Sequence, residues 1–524
     1  MYSSFGWSRY RFVAVGLLSG ALLGAGSVWF ALWPLSLLSF VGVTYLLHEA
    51  PRRQVGWYLA VVGVAAYGCS YAAMYWSILP LDWLGIGLGS GALLVGSVWL
   101  LTVSIFASVF GFLLRVAAGW GSGLWTTLAL VPSLYVLVDA GGALLFSLVF
   151  AGSFSTLGVD HTMGSPGYQL ADSDLLRHVA WAGGLYGLVF VQAAFGVVGY
   201  YVVRATGRWR WWYRSGWVLV WGVLASNVLS VPAQPIATDT PTVSVGVVST
   251  FDSEFISATP AEQLQFAVFR LPSDIDVIAL PEDTRYVQYM DAARAEQLAT
   301  YFTNAYVLDS GSIPTATGLQ PEIQVYDTGA RRVSTSSKEF LMVFGEYLPW
   351  VYQGLGTLFG LDSVLTQLQE EHRYQVTDPQ PLAIEGIPIS VKLCSDAISP
   401  AVYQRDTRAG ATILFNLASH GWFHHSRALQ HMAVRGGQVR AVENGRWYIR
   451  AGHDSPSLVI DQRGVVVAAH RWFEIEPLAV NVPVLSHRTL YAQIGVWVLA
   501  LPLFGVLVYL IGRRFRACKS SHKQ

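Results

Sequence analysis

Of 524 residues, 53% are hydrophobic and 13% charged, about half the charged share of an ordinary soluble domain. Lys+Arg and Asp+Glu each number 33, which excludes the one-sided charge of a nucleic-acid binder. With three cysteines, Cys69, Cys394 and Cys518, a disulfide framework is excluded as well.

The first 230 residues carry apolar runs of the ~20 residues that cross ~30 Å of hydrocarbon. Phe12 to Leu47 is too long for one span, and the Trp33-Pro34 pair predicts a turn that splits it. No cleavable signal peptide is expected, because this first stretch is long and lacks a cleavage site. Further spans are expected at Val55 to Ile78, Ala92 to Leu114, Leu124 to Ala151, His178 to Val203 and Gly216 to Val231, with a last one at Leu490 to Ile511. That gives about eight. Arg9 and Arg11, Arg52 and Arg53, Arg115, Arg204 to Arg214, and the tail from Arg513 to Lys523 then all fall on one side. Basic residues stay inside, so both termini are expected in the cytoplasm and residues 233–487 outside it.

The expected organisation is a membrane domain over residues 1–232, an α/β domain over 233–487, and a final span with a basic tail over 488–524. Strand patterns occur at Thr242–Val248, Asp276–Leu280, Ile323–Tyr326, Ile387–Leu393 and Thr412–Asn416. Helical patterns lie between them at Pro260–Phe269, Ala292–Phe302 and around Gln430–Glu443. Such alternation predicts one α/β domain.

Three positions at expected strand ends could do chemistry together. Glu282 follows an apolar strand, Lys338 precedes a Phe-Gly-Glu-Tyr segment, and Cys394 ends the run Ile387 to Leu393. A thiol becomes a nucleophile when a base takes its proton and a cation favours the thiolate. Glu282 could be the base and Lys338 the cation that also holds an oxyanion. On the expected topology Cys394 is the one cysteine facing outward, where an idle thiol is an oxidation liability.

The order Glu–Lys–Cys resembles the nitrilase (carbon–nitrogen hydrolase) superfamily. The layout of several spans, one such domain and a last span resembles its apolipoprotein N-acyltransferase family. The likeness extends to Phe344-Gly345-Glu346-Tyr347-Leu348-Pro349, Gly421-Trp422-Phe423, Gln430-His431, Arg440-Ala441-Val442-Glu443 with Gly445-Arg446, and Val459 to Gly464. Thr489, Tyr491 and Gly495 also match, ahead of the last span. The resemblance implies an αββα sandwich, Glu282 as general base, Lys338 as thiolate and oxyanion stabiliser, and Cys394 as nucleophile. It implies supporting roles for Glu346 and Asp396. Cys394-Ser395-Asp396 replaces the family's Cys-Tyr-Glu, Asp283 replaces a small or hydroxyl residue, and Ser419-His420 replaces Asn-Asp.

The implied reaction moves an acyl chain from a phospholipid, through a thioester on Cys394, to the α-amino group of diacylglyceryl-cysteine in an apolipoprotein. A monomer in a bacterial inner membrane, with its catalytic domain on the periplasmic side, is implied, and no cofactor. The alternatives are a membrane-anchored amidase, with water as acceptor, and a non-catalytic scaffold. Two further features carry expectations. His420, His424, His425 and His431 are close enough in sequence to suggest a metal, but no Cys or carboxylate completes the set, and none is expected. Asp139, inside the fifth span, is expected to make structural hydrogen bonds. The apolar stretch Leu348 to Phe359 reads either as a lid dipping into the interface or as a packed helix.

Overall fold

The computed structural model describes residues 3–81, 86–118, 123–231, 237–252, 258–316, 318–358, 374 and 380–521. Seven helices among the described residues are long and apolar enough to cross a membrane: Arg9–Val28, Phe30–Glu49, Val55–Ile78, Leu88–Arg115, Leu124–Val149, Ala180–Arg204 and Leu490–Gly512. The expected seventh, at Gly216 to Val231, is instead the 16-residue helix Arg210–Ala225. At 1.5 Å per residue it is only ~24 Å long, short of the ~30 Å core.

The contacts of this short helix nevertheless run from one rim of the bundle to the other. Near its start, Arg214 Nη2 donates to Val203 O at 2.5 Å, beside the end of the sixth span. Further along, Trp221 Nε1 donates to Pro34 O at 2.9 Å, and past its end Asn227 Nδ2 donates to Asp172 O at 2.5 Å, both at the opposite rim. The chain therefore changes rims here.

The split between the first two spans comes at Val28–Phe30, not at the Trp33-Pro34 pair. Pro34 sits inside a 3₁₀ segment, Phe30–Leu38, that leads directly into the helix Ser39–Glu49. Proline removes a donor but is tolerated in the early turns of a helix. The first and third spans meet over small residues. A Cβ on Gly20 would fall 2.3 Å from Val62 O, so glycine is what lets the backbones approach.

The α/β domain holds two sheets. In the first, the order is β13-β1-β3-β4-β5-β6, from β1 (Thr242–Val247), β3 (Val277–Ala279), β4 (Tyr306–Pro314), β5 (Leu319–Asp327), β6 (Arg332–Ser337) and β13 (Leu478–Pro483). The second runs β12-β11-β10-β9-β8-β7, with β2 (Ser249–Thr250) pairing β10. Its strands are β7 (Leu382–Ile384), β8 (Ile387–Leu393), β9 (Ile413–Ser419), β10 (Trp447–His453), β11 (Leu458–Ile460) and β12 (Val466–Ala469).

Alternation makes the sandwich. In β8, Ile389, Val391 and Leu393 face Val245, Val277 and Val325 of the other sheet, all buried. Each such side chain is worth about 1.5–3 kcal/mol on burial. Ser390 and Lys392 point the other way, to Asp406 and Glu339. Helices Pro260–Val268 and Ala292–Tyr301 cover the outer face of the first sheet. Pro400–Ala409 and Arg427–Asn444 cover the second. The order of layers is αββα.

The domain rests on the rim opposite the arginines. Trp350 N donates to Ala151 O at 2.8 Å, Thr162 Oγ1 to Ile398 O at 2.6 Å, and His424 Nε2 meets Pro80 O at 3.0 Å. Those partners lie in the loops that follow the third and fifth spans. Helix Arg427–Asn444 docks deepest, where Glu443 Oε1 accepts from Leu185 N at 2.8 Å. That amide is freed by a kink in the sixth span at Gly184, whose φ of 57° suits glycine.

Candidate active site

Parallel pairing of β1, β3 and β4, and of β8, β9 and β10, sends their carboxyl ends to one edge. Open α/β sheets place their sites at such edges. Glu282 lies just beyond β3, Lys338 follows β6, and Cys394 follows β8. The three expected residues meet there.

Lys338 Nζ donates to Glu282 Oε1 at 3.1 Å and to Glu346 Oε1 at 2.6 Å. Glu346 is fixed in turn, since its Oε2 accepts from Met342 N at 2.7 Å. The other oxygen of Glu282, Oε2, accepts from Ser419 N at 3.1 Å. The carbonyl of the same Ser419 receives the Cys394 thiol proton at 3.5 Å. One residue at the end of β9 thus joins the Glu282 carboxylate and the Cys394 thiol through its backbone.

Cys394 has a φ of 31°, a left-handed conformation that costs a non-glycine residue energy. Asp396 holds the turn that imposes it. Its Oδ2 accepts from Leu393 N at 3.0 Å, and its Oδ1 accepts from Glu339 N at 3.1 Å and Phe340 N at 2.7 Å. The Cys394 turn and the segment after Lys338 are tied together by this one carboxylate. Ser395 adds a second tie, its Oγ donating to Phe340 O at 2.6 Å.

Burial dominates the electrostatics. It pushes the Cys394 thiol up to about 12, helped by the Glu282 charge and opposed by Lys338. Burial also raises Glu282, with Lys338 pulling down and Glu346 pushing up. For Lys338 burial works downward, but the carboxylates of Glu282 and Glu346 outweigh it and hold the ammonium charged. The resting site is therefore a neutral thiol beside a carboxylate that is more basic than usual, with a fixed cation between two anions.

A cavity of about 930 Å³ opens on this cluster and continues down between the spans. Glu282, Lys338 and Cys394 line its upper end; Tyr75, Leu94 and Phe146 line it within the bundle. The helix Trp350–Leu358 borders it through Tyr352 and Leu355. Tyr352 OH lies 3.1 Å from Ser97 Oγ on the fourth span, while Trp350 and Leu358 are exposed. Phe359 lies outside the described residues.

The four histidines go to separate partners. His420 contacts Arg450, His424 contacts Pro80, His425 lies against Trp472 and Phe473, and His431 pairs with Asp172. Asp139 Oδ2 accepts from Ser165 Oγ at 2.7 Å. Ser419 and Arg450 were not singled out as site residues by sequence. Ser419 acts through its peptide groups, which no side-chain pattern reveals, and Arg450 carries only a charge placed unusually inside a strand.

No family model matches the chain. It is 27% identical, over 98% of its length and 97% of the relative's, to the apolipoprotein N-acyltransferase of Pseudomonas paraeruginosa (strain PA7). The protein of that name from Pseudomonas aeruginosa (strain UCBPP-PA14) is 26% identical over the same shares. That from Gloeobacter violaceus is 31% identical over 36% of this chain and 35% of its own. Among solved structures, an amidase from Nesterenkonia sp. matches 47% of this chain and 91% of its own, at 14% identity and a TM-score of 0.31. The C. elegans NitFhit protein matches 47% and 61%, at 14% identity and a TM-score of 0.35.

Proposed function

We propose, from its likeness along nearly its whole length to apolipoprotein N-acyltransferases, that this multi-pass membrane protein acylates lipoprotein amino termini. The single observation that carries the reading is the cavity that joins the spaces between the spans to Cys394, Glu282 and Lys338.

In the first half-reaction the Cys394 sulfur attacks the ester carbonyl of a phospholipid, and its proton passes to Glu282. Lys338 stabilises the oxyanion of the tetrahedral intermediate. Collapse breaks the carbon–oxygen bond, the lysophospholipid oxygen takes the proton from Glu282, and a thioester remains. In the second half the α-amino group of diacylglyceryl-cysteine attacks that thioester and gives its proton to Glu282. An amide forms, the carbon–sulfur bond breaks, and the proton returns to Cys394. Base and acid alternate in one carboxylate.

Membrane embedding supports this choice of substrates. Each CH₂ drawn from a bilayer into water costs about 0.8 kcal/mol, so a long acyl chain must reach the thiol without leaving apolar surroundings. The helix Trp350–Leu358 serves as the lid over that path. The arginine rim faces the cytoplasm and the α/β domain faces the periplasm of an inner membrane, by the bias of basic residues to the inside. The test is transfer from phospholipid to a synthetic diacylated lipopeptide by purified protein, with Cys394→Ala as control. Transfer lost in the variant agrees with the proposal; transfer retained there rejects it.

A further inference from the structure

Arg450 is among the largest fully buried side chains of the molecule. It lies on β10, in register with Asn416 of β9, whose Nδ2 donates to Cys394 O at 3.3 Å. The Arg450 Nη2 reaches His420 Nε2 at 2.8 Å and Ser455 Oγ at 3.4 Å. Its Nη1 has no hydrogen-bond partner among the described residues. The guanidinium lines a second cavity, of about 80 Å³, that it shares with Cys394 and Asn416.

A buried cation without a partnered anion is costly, and Arg450, unlike the buried Arg446 that donates to three backbone carbonyls, keeps a donor nitrogen unpartnered among the described residues beside Cys394. Among the described residues no carboxylate pairs with Arg450, whereas Lys338 is already committed to two. Cys394 borders both cavities: Glu282, Lys338 and Glu346 line the large one with it, and Arg450, Tyr448 and His420 line the small one. Asp396 is held on its own turn. When Glu282 takes the thiol proton, Lys338 and Glu346 still balance each other. The new negative charge on sulfur is left facing Arg450.

We propose that Arg450 is the counter-cation of the Cys394 thiolate, a positioning charge opposite Lys338, and that the small cavity keeps it from being neutralised by a fixed anion. This rests on the nucleophile assigned above, so its test reads the thiol and uses no acyl substrate.

Full-length protein in detergent is treated with iodoacetamide at pH 6 to 9, and alkylation of Cys394 is followed by mass spectrometry. Arg450→Met should slow alkylation about threefold to tenfold at each pH, the loss expected when the thiolate fraction falls by an order of magnitude and nucleophilicity partly compensates. Arg450→Lys, which keeps the charge, should stay close to wild type. If the Met variant does not fold, Arg450→Gln carries the same comparison with a neutral polar side chain. An unchanged rate in the folded neutral variant overturns the proposal, as does a Lys variant as slow as the neutral one.

Discussion

At the scale of single residues, burial sets a neutral thiol beside a carboxylate more basic than usual. In the proposed role of base Glu282 must be ionised to accept the proton, and burial, with Lys338 opposing and Glu346 adding, raises it above the ordinary glutamate value. Activity should therefore fall as pH drops through that raised value, with an acid limb of kcat/KM above the ordinary glutamate range. Lys338 is held well above 10.5 and adds no limb in the working range. A kcat/KM profile across pH 4 to 9 with its acid midpoint at or below 4.5 would contradict the assignment of Glu282 as base. The sequence made Glu282 and Cys394 legible because each ends an apolar strand, and Lys338 because the Phe-Gly-Glu-Tyr segment follows it. Ser419 was legible only as a departure, Ser-His in place of Asn-Asp. Its contribution is an N–H and a carbonyl, so the side chain at that position is free to change. Asp396 read as a shortened carboxylate, and its three backbone donors explain what a short one can reach.

At the scale of elements, runs of apolar residues bounded by polar ones were the dependable signals. β8 was legible to its last residue, and the helix expected at Pro260–Phe269 runs Pro260–Val268, its start fixed by a Thr259–Glu262 capping box that the sequence reading passed over. Pro34 misled because a proline near the start of a helix is accommodated by a 3₁₀ turn. The strands β4 and β6 went unread, for Ser310, Gly311 and Ser312 in one and the polar run of β6 give no clear period. The apolar stretch after Glu346 had two readings, lid or packed helix. Leu355 and Leu358 stand exposed while only Gly356 is buried, which favours the lid. Replacing both leucines with Ser should raise KM for phospholipid about tenfold with kcat little changed, since each exposed leucine can contribute up to ~1.5 kcal/mol to contact with lipid. An unchanged KM in a micelle assay would remove the helix from substrate entry.

At the scale of the whole molecule, the count of spans was less secure than their direction. Composition alone gave eight, and length admits seven among the described residues. Yet Arg210–Ala225 reaches both rims through Arg214 and Trp221, and the domain rests on loops of the rim opposite the arginines and on the span ends beside them. A short helix can cross where the bilayer thins or its flanking residues reach the interface. Single cysteines placed at Gly207 and at Asp274, in a background lacking Cys69, Cys394 and Cys518, should separate the two faces. An impermeant maleimide should label Asp274→Cys in intact spheroplasts, and Gly207→Cys only after the membrane is opened; the reverse order would invert the topology. The arrangement as a whole brings a membrane cavity to one thiol, so the most direct measurement is the mass of that thiol. Incubated with phospholipid and no acceptor, the protein should gain one acyl chain on Cys394. That chain should then leave as an N-acyl amide when diacylated lipopeptide is added. Amide product formed with Cys394 unmodified throughout, or an adduct that water removes but the lipopeptide does not, would contradict the account.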